Sequence, residues 1–236
     1  GFFGALVGLI MVSFELSVLN HFIIAFAMVC LLVLANYSFL IKAKTKQSEE
    51  QTSYSFFKNP NMNLIWLGVI CFCCMASEGI MFDWSGVYFK EIVKAPGGLV
   101  VLGYTTFMVS MASGRFLSDI LVHKYGAKKV LIISGIVISS GLYLAVLLPY
   151  LVPCTIAFMM VGFGVSNVVP IIFNAAVNIK NVPPGIALTI VTSISFLGFL
   201  IGPPIIGFIA EMTSLQYSFA FIGIFGVLIS ILVSRL

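Results

Sequence analysis

The chain has 236 residues, of which 61% are hydrophobic and 8% charged, with a net charge of +4 and a mean hydropathy of +1.16. Soluble domains carry about 25% charged residues, so this composition excludes a protein that covers itself with polar surface, and lipid is its expected solvent. The basic residues are not gathered into one patch, which excludes a nucleic-acid-binding role.

A helical span needs about 20 apolar residues. Residues 1–14 read as the end of one span, and the chain opens inside an apolar run with no basic leader. It therefore reads as the C-terminal portion of a longer protein, whose N-terminal helices are an expected partner. A complete span follows near 18–40. Residues 41–61 are rich in Lys, Gln, Ser and Thr, carry Glu49 and Glu50, and end in Asn59-Pro60-Asn61. They read as a polar linker leading into the next helix. Six further spans are expected near 62–89, 98–118, 130–149, 151–177, 186–210 and 216–234. The connectors between them are tight, at 90–98, 119–129, 148–152, 180–185 and 211–216. The expected fold is an all-α polytopic membrane helix bundle with one central linker.

Charge placement sets the sidedness. With the linker in the cytoplasm, alternating spans put Lys42, Lys44, Lys46, Lys58, Arg115, Lys124, Lys128, Lys129, Lys180 and Arg235 on that side. Lys90 and Lys94 fall on the other. A bias of ten against two follows the positive-inside rule and places linker and C-terminus in the cytoplasm.

The cysteines Cys30, Cys71, Cys73, Cys74 and Cys154 all sit in apolar runs. At about 100° per residue Cys73 points away from Cys71 and Cys74, so one helix cannot close a metal site with them. They read as small packing residues, and no metal, cofactor or disulfide is implied.

Acids inside a span are costly, about 2.5–3.5 kcal/mol at mid-helix. Glu78 lies about 24 Å along its helix at 1.5 Å per residue, near the bilayer middle, and Asp83 one to two turns further out. Gly79, Ser85 and Gly86 would let the helix bend. Desolvation disfavours the charged form of a carboxyl group, so Glu78, with Asp83 and the adjacent Trp84, reads as a proton or substrate site. The plainer reading is a polar pair that holds the bundle, with Lys90 partly neutralising Asp83. Asn167, Asn174 and Asn178 recur at spacings of seven and four and share a helix face. Gly162, Gly164 and Pro170 interrupt that helix, as is tolerated where backbone lines a cavity, and Asn167 and Asn174 read as part of the substrate or proton site. Interhelical hydrogen bonding is the alternative. Thr189, Thr192, Ser193 and Ser195 repeat the signal more weakly, and Tyr104, Met108, Met111 and Arg115 form a packing stripe.

Arg115 and Asp119 stand four apart where a helix is expected to meet the cytoplasm, and Lys124, Lys128 and Lys129 follow in the connector. This group reads as a charge latch at a cytoplasmic gate. Gly198-x-x-x-Gly202-Pro203-Pro204-x-x-Gly207 reads as a helix-packing motif, since small residues let helices approach closely. Gly4-x-x-x-Gly8 has a similar sequel, and together the two suggest an internal repeat of six spans.

The stretch from Gly114-Arg115 through Asp119 to Gly126 resembles the loop signature of the major facilitator superfamily in its second copy, between helices 8 and 9. Ile120 stands where a basic residue often follows the acid, and the run to Gly126 is longer than usual. The Gly198–Gly207 pattern is similar to the Gly-Pro helix of the same superfamily. Glu78-Gly79, Asp83-Trp84-Ser85 and Tyr88 resemble the bacterial YbjJ and MosC-like group, related to fucose-type sugar permeases. The resemblance implies residues 1–40 as the end of an N-terminal half (part of helix 5, and helix 6), 41–61 as the cytoplasmic linker, and 62–236 as a six-helix C-terminal half (helices 7–12). It implies a secondary transporter in a bacterial inner membrane, moving a small polar solute such as a sugar, with protons as the coupling ion. The alternative is a non-transporting sensor or structural membrane protein. A retinal-type photoreceptor needs a mid-span lysine, yet the basic residues are expected at span ends. An enzyme is not expected: His21 and His123 lie near the membrane surfaces, and no two acids face each other at one depth.

Overall fold

A computed structural model describes residues 17–37 and 61–235. Residues 1–14, nearly all of the 41–61 linker, its lysines and the Gly4–Gly8 motif lie outside the described residues. Among the described residues, seven helices are long and apolar enough to cross a membrane, and the chain is an integral multi-pass membrane protein. The chain divides into two units, Gly1–Tyr54 and Ser55–Leu236.

In the first unit, helix α1 spans Val18–Asn36. The Ser17 side chain accepts from the Asn20 N–H at 3.4 Å, satisfying one of the orphan donors at the helix start. The helix is apolar around its circumference, with Phe22, Phe26 and Leu34 exposed.

In the second unit, α2 spans Met62–Glu91, α3 Leu102–Tyr125, α4 Ala127–Leu147, α5 Leu151–Val177, α6 Pro184–Met212 and α7 Leu215–Arg235. Asn61 caps α2 by accepting from the Asn63 N–H at 3.0 Å, and Pro184 opens α6 at a first-turn position where its missing N–H is harmless. Helix α2 is the centre of this unit, packing on α6, α7, α5 and α3, while α3 packs on α5 and α4 on α5 and α7. Lipid is as apolar as leucine, so close packing and interhelical hydrogen bonds hold such a bundle. The rings of Tyr88, Phe89, Phe158 and Phe219 supply the packing, with Tyr88 and Phe219 centroids 4.4 Å apart. The buried Tyr88 hydroxyl donates to the Ala145 carbonyl at 2.9 Å, so its polar end is satisfied where no water reaches.

The α2–α6 contact shows what the small residues do. A Cβ on Gly198 would collide with the Phe72 carbonyl, and one on Gly202 would lie 3.1 Å from the Ala76 carbonyl. Gly207 lies under the Trp84 ring. The four-residue spacing on both helices lets the two backbones touch along a shared line.

Two expectations change. The 119–129 stretch is helical except for one residue. Helix α3 continues to Tyr125 and α4 begins at Ala127, with Gly126 between them at φ 82° and ψ 148°. Helix α5 likewise runs unbroken through Gly162, Gly164 and Pro170, because the two glycines sit against the backbones of α3 and α4 and are used for packing. The Gly126 conformation is essentially closed to residues with a side chain, although the space around it is open. Gly126→Ala is therefore expected to destabilise the protein by about 1–3 kcal/mol through backbone strain alone. A lowered thermal midpoint in detergent checks this, and an unchanged one means the α3–α4 corner adopts another turn.

Candidate functional site

Three groups of polar residues lie within the six-helix unit. The first joins Glu78 of α2 to Arg115 of α3. Glu78 is 16 residues into its helix, and its side chain is only 9% exposed. Arg115 lies ten residues before the end of α3, about 15 Å inside the helix at 1.5 Å per residue. Its Nη2 reaches Glu78 Oε1 at 3.8 Å and Met111 Sδ at 3.9 Å. The guanidinium side chain is half exposed. The separation exceeds a hydrogen bond, so this is an ion pair whose members are held near each other without being locked.

This placement differs from the expected latch. Among the described residues the ion pairs within 4.0 Å are Arg115–Glu78 and Lys90–Glu91. Arg115 therefore turns inward to Glu78, away from Asp119. Helix α3 extends to Tyr125, so Arg115 is an interior residue of the helix, and its partner is set by the neighbouring helix α2 that its side chain reaches. Lys128 is exposed. Lys124 and Lys129 lie over the Tyr125 ring at 5.2 and 5.7 Å, an exposed cation–π arrangement worth about 0.5–1 kcal/mol each.

Asp119 belongs to a second group. With Ser118, Asn174 and Asn178 it lines a 200 Å³ cleft between the ends of α3 and α5, beside Ala127 at the start of α4. Asn178 donates to the Asn174 backbone carbonyl at 2.7 Å and to its side-chain oxygen at 3.0 Å. The three asparagines share a helix face but not an environment. Asn167 is buried, donates to the Phe163 carbonyl at 3.2 Å, and leaves its own Oδ1 without a partner.

The third group surrounds Asp83, which is exposed on the unit's surface and not buried as expected. Lys90 does not neutralise it, pairing with Glu91 at 3.6 Å instead. Asp83, Trp84, Val87, Phe199, Leu200, Pro203 and Pro204 line a groove of about 580 Å³ between α2 and α6. Trp84 donates its indole N–H to the Pro203 carbonyl at 3.1 Å, which fixes the ring along α6. Phe82, one residue before Asp83, meets Tyr104, Phe107 and Phe199 at centroid distances of 6.0, 5.8 and 5.9 Å. It ties α2, α3 and α6 together. Sequence reasoning left Leu200 out of this group, although two consecutive prolines a turn after it were the signal.

The second unit is thus a bundle of membrane-length helices with a buried Glu78–Arg115 pair and close glycine contacts between α2 and α6. Residues 97–236 match the Major Facilitator Superfamily, and the chain belongs to that family. It is 34% identical over 197 residues to an uncharacterized MFS-type transporter of Yersinia pestis, covering 84% of this chain and 50% of that protein. It is also 33% identical to the membrane protein MosC of Rhizobium meliloti, over 72% of this chain and 42% of that protein. A third relative is the uncharacterized transporter y4wD of Sinorhizobium fredii, 32% identical over 73% of this chain and 46% of that protein. The chain spans about half the length of these curated relatives.

Proposed function

We propose that this chain is the C-terminal portion of a secondary transporter that moves a small polar solute by alternating access, with protons as the coupling ion. The observation that carries the reading is the Glu78–Arg115 pair, a buried carboxyl and a half-exposed guanidinium on two different membrane helices. Ionisable groups inside a bundle are expensive and mark ion or substrate pathways. A pair held at 3.8 Å can part when Glu78 takes up a proton, which releases α3 from α2. Family membership and the transporter names of two relatives support the same reading. In it, residues 62–236 are the six-helix second half and residues 41–61 the linker from the first. The Asp119–Asn174–Asn178 cleft is a cytoplasmic gate, and the membrane is a bacterial inner membrane.

The test uses the full-length protein in proteoliposomes with a labelled library of sugars and related polar solutes. Accumulation of one solute driven by a pH gradient is expected. No transport of any solute, with correctly folded protein, favours the sensor or structural alternative. Topology gives an independent check from the charge bias. A reporter in the linker or at Tyr125 is expected to read cytoplasmic, and one at Pro96 external. An external linker would invert the assignment of the gate.

A further inference from the structure

We propose that the groove between α2 and α6 is a binding site for the protonated primary amine of a small solute. This rests on the transporter reading above and narrows its substrate class. Three features come from residues that line the groove. The first is Asp83, an exposed carboxylate with no ion pair within 4.0 Å among the described residues. The second is the carbonyl of Leu200. A helical carbonyl accepts from the N–H four residues on, or three in a tighter turn. For Leu200 those positions are Pro204 and Pro203, both inside the helix, and proline has no N–H to give. No side chain among the described residues donates to that carbonyl. The third is the half-buried Trp84 ring, held in place by its bond to Pro203.

Each feature favours the same ligand. A carboxylate and an orphan carbonyl both accept hydrogen bonds, and a primary ammonium brings three donors and a positive charge. An indole face attracts an organic cation. An anionic solute would meet Asp83 and no basic side chain in the groove lining. A bare metal ion wants about six or more oxygen ligands, and the lining is otherwise apolar. The volume of about 580 Å³ lies within the range of about 300–1,000 Å³ usual for small-molecule sites. Two consecutive prolines weaken the middle of a long helix. A carbonyl reserved for a ligand gives that weakness a use.

The test measures binding to the purified full-length protein in detergent for amine solutes paired with their hydroxyl counterparts: D-glucosamine with D-glucose, and ethanolamine with ethylene glycol. At least one amine is expected to bind about tenfold or more tightly than its counterpart. Asp83 is exposed, so Asp83→Asn should fold and should erase that preference. Pro204→Ala returns a helical donor to the Leu200 carbonyl and should reduce the preference while leaving Asp83 in place. Equal binding within pairs, no binding of any probe, or a preference untouched by Asp83→Asn overturns the proposal. Sodium saturating the site and excluding the amines overturns it as well. Gradient-driven uptake of neutral solutes without amine preference would leave the transporter reading standing and this one refuted. Amine binding lost on Asp83→Asn, with no transport of any solute, would do the reverse.

Discussion

Arg115→Ala is expected to harm the folded protein more than Glu78→Gln does, although the two residues form one pair. Glu78 has a side chain 9% exposed, and Arg115 one 52% exposed. Removing the arginine strands a carboxylate inside the bundle, which must draw in water or a proton or force α2 and α3 apart. Losing one partner of a fully buried pair costs about 3–5 kcal/mol. The exposure of Arg115 and the 3.8 Å separation lower the expectation to about 1–3 kcal/mol. Glu78→Gln leaves a neutral amide in the interior and an arginine that can turn to its exposed side, so its effect on stability is small. The double variant Glu78→Gln with Arg115→Ala should recover most of the loss, because residues in one pair are not additive. Thermal midpoints of the four proteins in detergent give this comparison, and strict additivity would mean that the pair carries no coupling. The functional expectation runs the other way. Glu78→Gln cannot bind and release a proton, so solute exchange across the membrane should persist while accumulation driven by a pH gradient is lost. Normal accumulation by this variant would reduce Glu78 to a structural partner of Arg115.

The largest structural effect is expected from Gly198→Ala, a change of one methyl group. Its Cβ would collide with the backbone carbonyl of Phe72. A flexible side chain could swing away, but a carbonyl belongs to the helix and moves only with it. Helices α2 and α6 would have to separate along their shared line, disturbing Gly202 against Ala76 and Gly207 against Trp84. Overpacking of this kind costs about 1–3 kcal/mol, occasionally more. A membrane bundle has no hydrophobic force between its helices to offset the lost contacts. The expected result is a sharp fall in monodisperse protein after solubilisation. Gly86→Ala is the control, since a Cβ there meets nothing within 4 Å, and it should leave the yield unchanged. Equal losses from both substitutions would point to a general intolerance of α2 and α6 to change, not to this contact.

The seven complete spans among the described residues were legible from the chain, because apolar runs of membrane length separated by polar breaks admit one reading in lipid, but the limits around the 119–129 connector were not. Helix α5 was expected at 151–177 and occupies Leu151–Val177. The close-packing glycines of α6 were legible too, since a four-residue spacing places them on one face whatever they meet. Polar partners were not. Arg115 and Asp119 stand four apart and share a face of α3, yet Arg115 meets Glu78, 37 positions back in the chain, and Asp119 lines a cleft with Asn174 and Asn178. Local spacing states which side chains share a face. It does not state which neighbouring helix covers that face or at what depth. Gly126 lets the chain turn at one residue, so α3 runs two turns further than expected, while the reach of Arg115 to the buried Glu78 comes from the packing of α2 on α3. That pairing follows from how two helices dock, a property of the packed bundle that no stretch of sequence holds by itself.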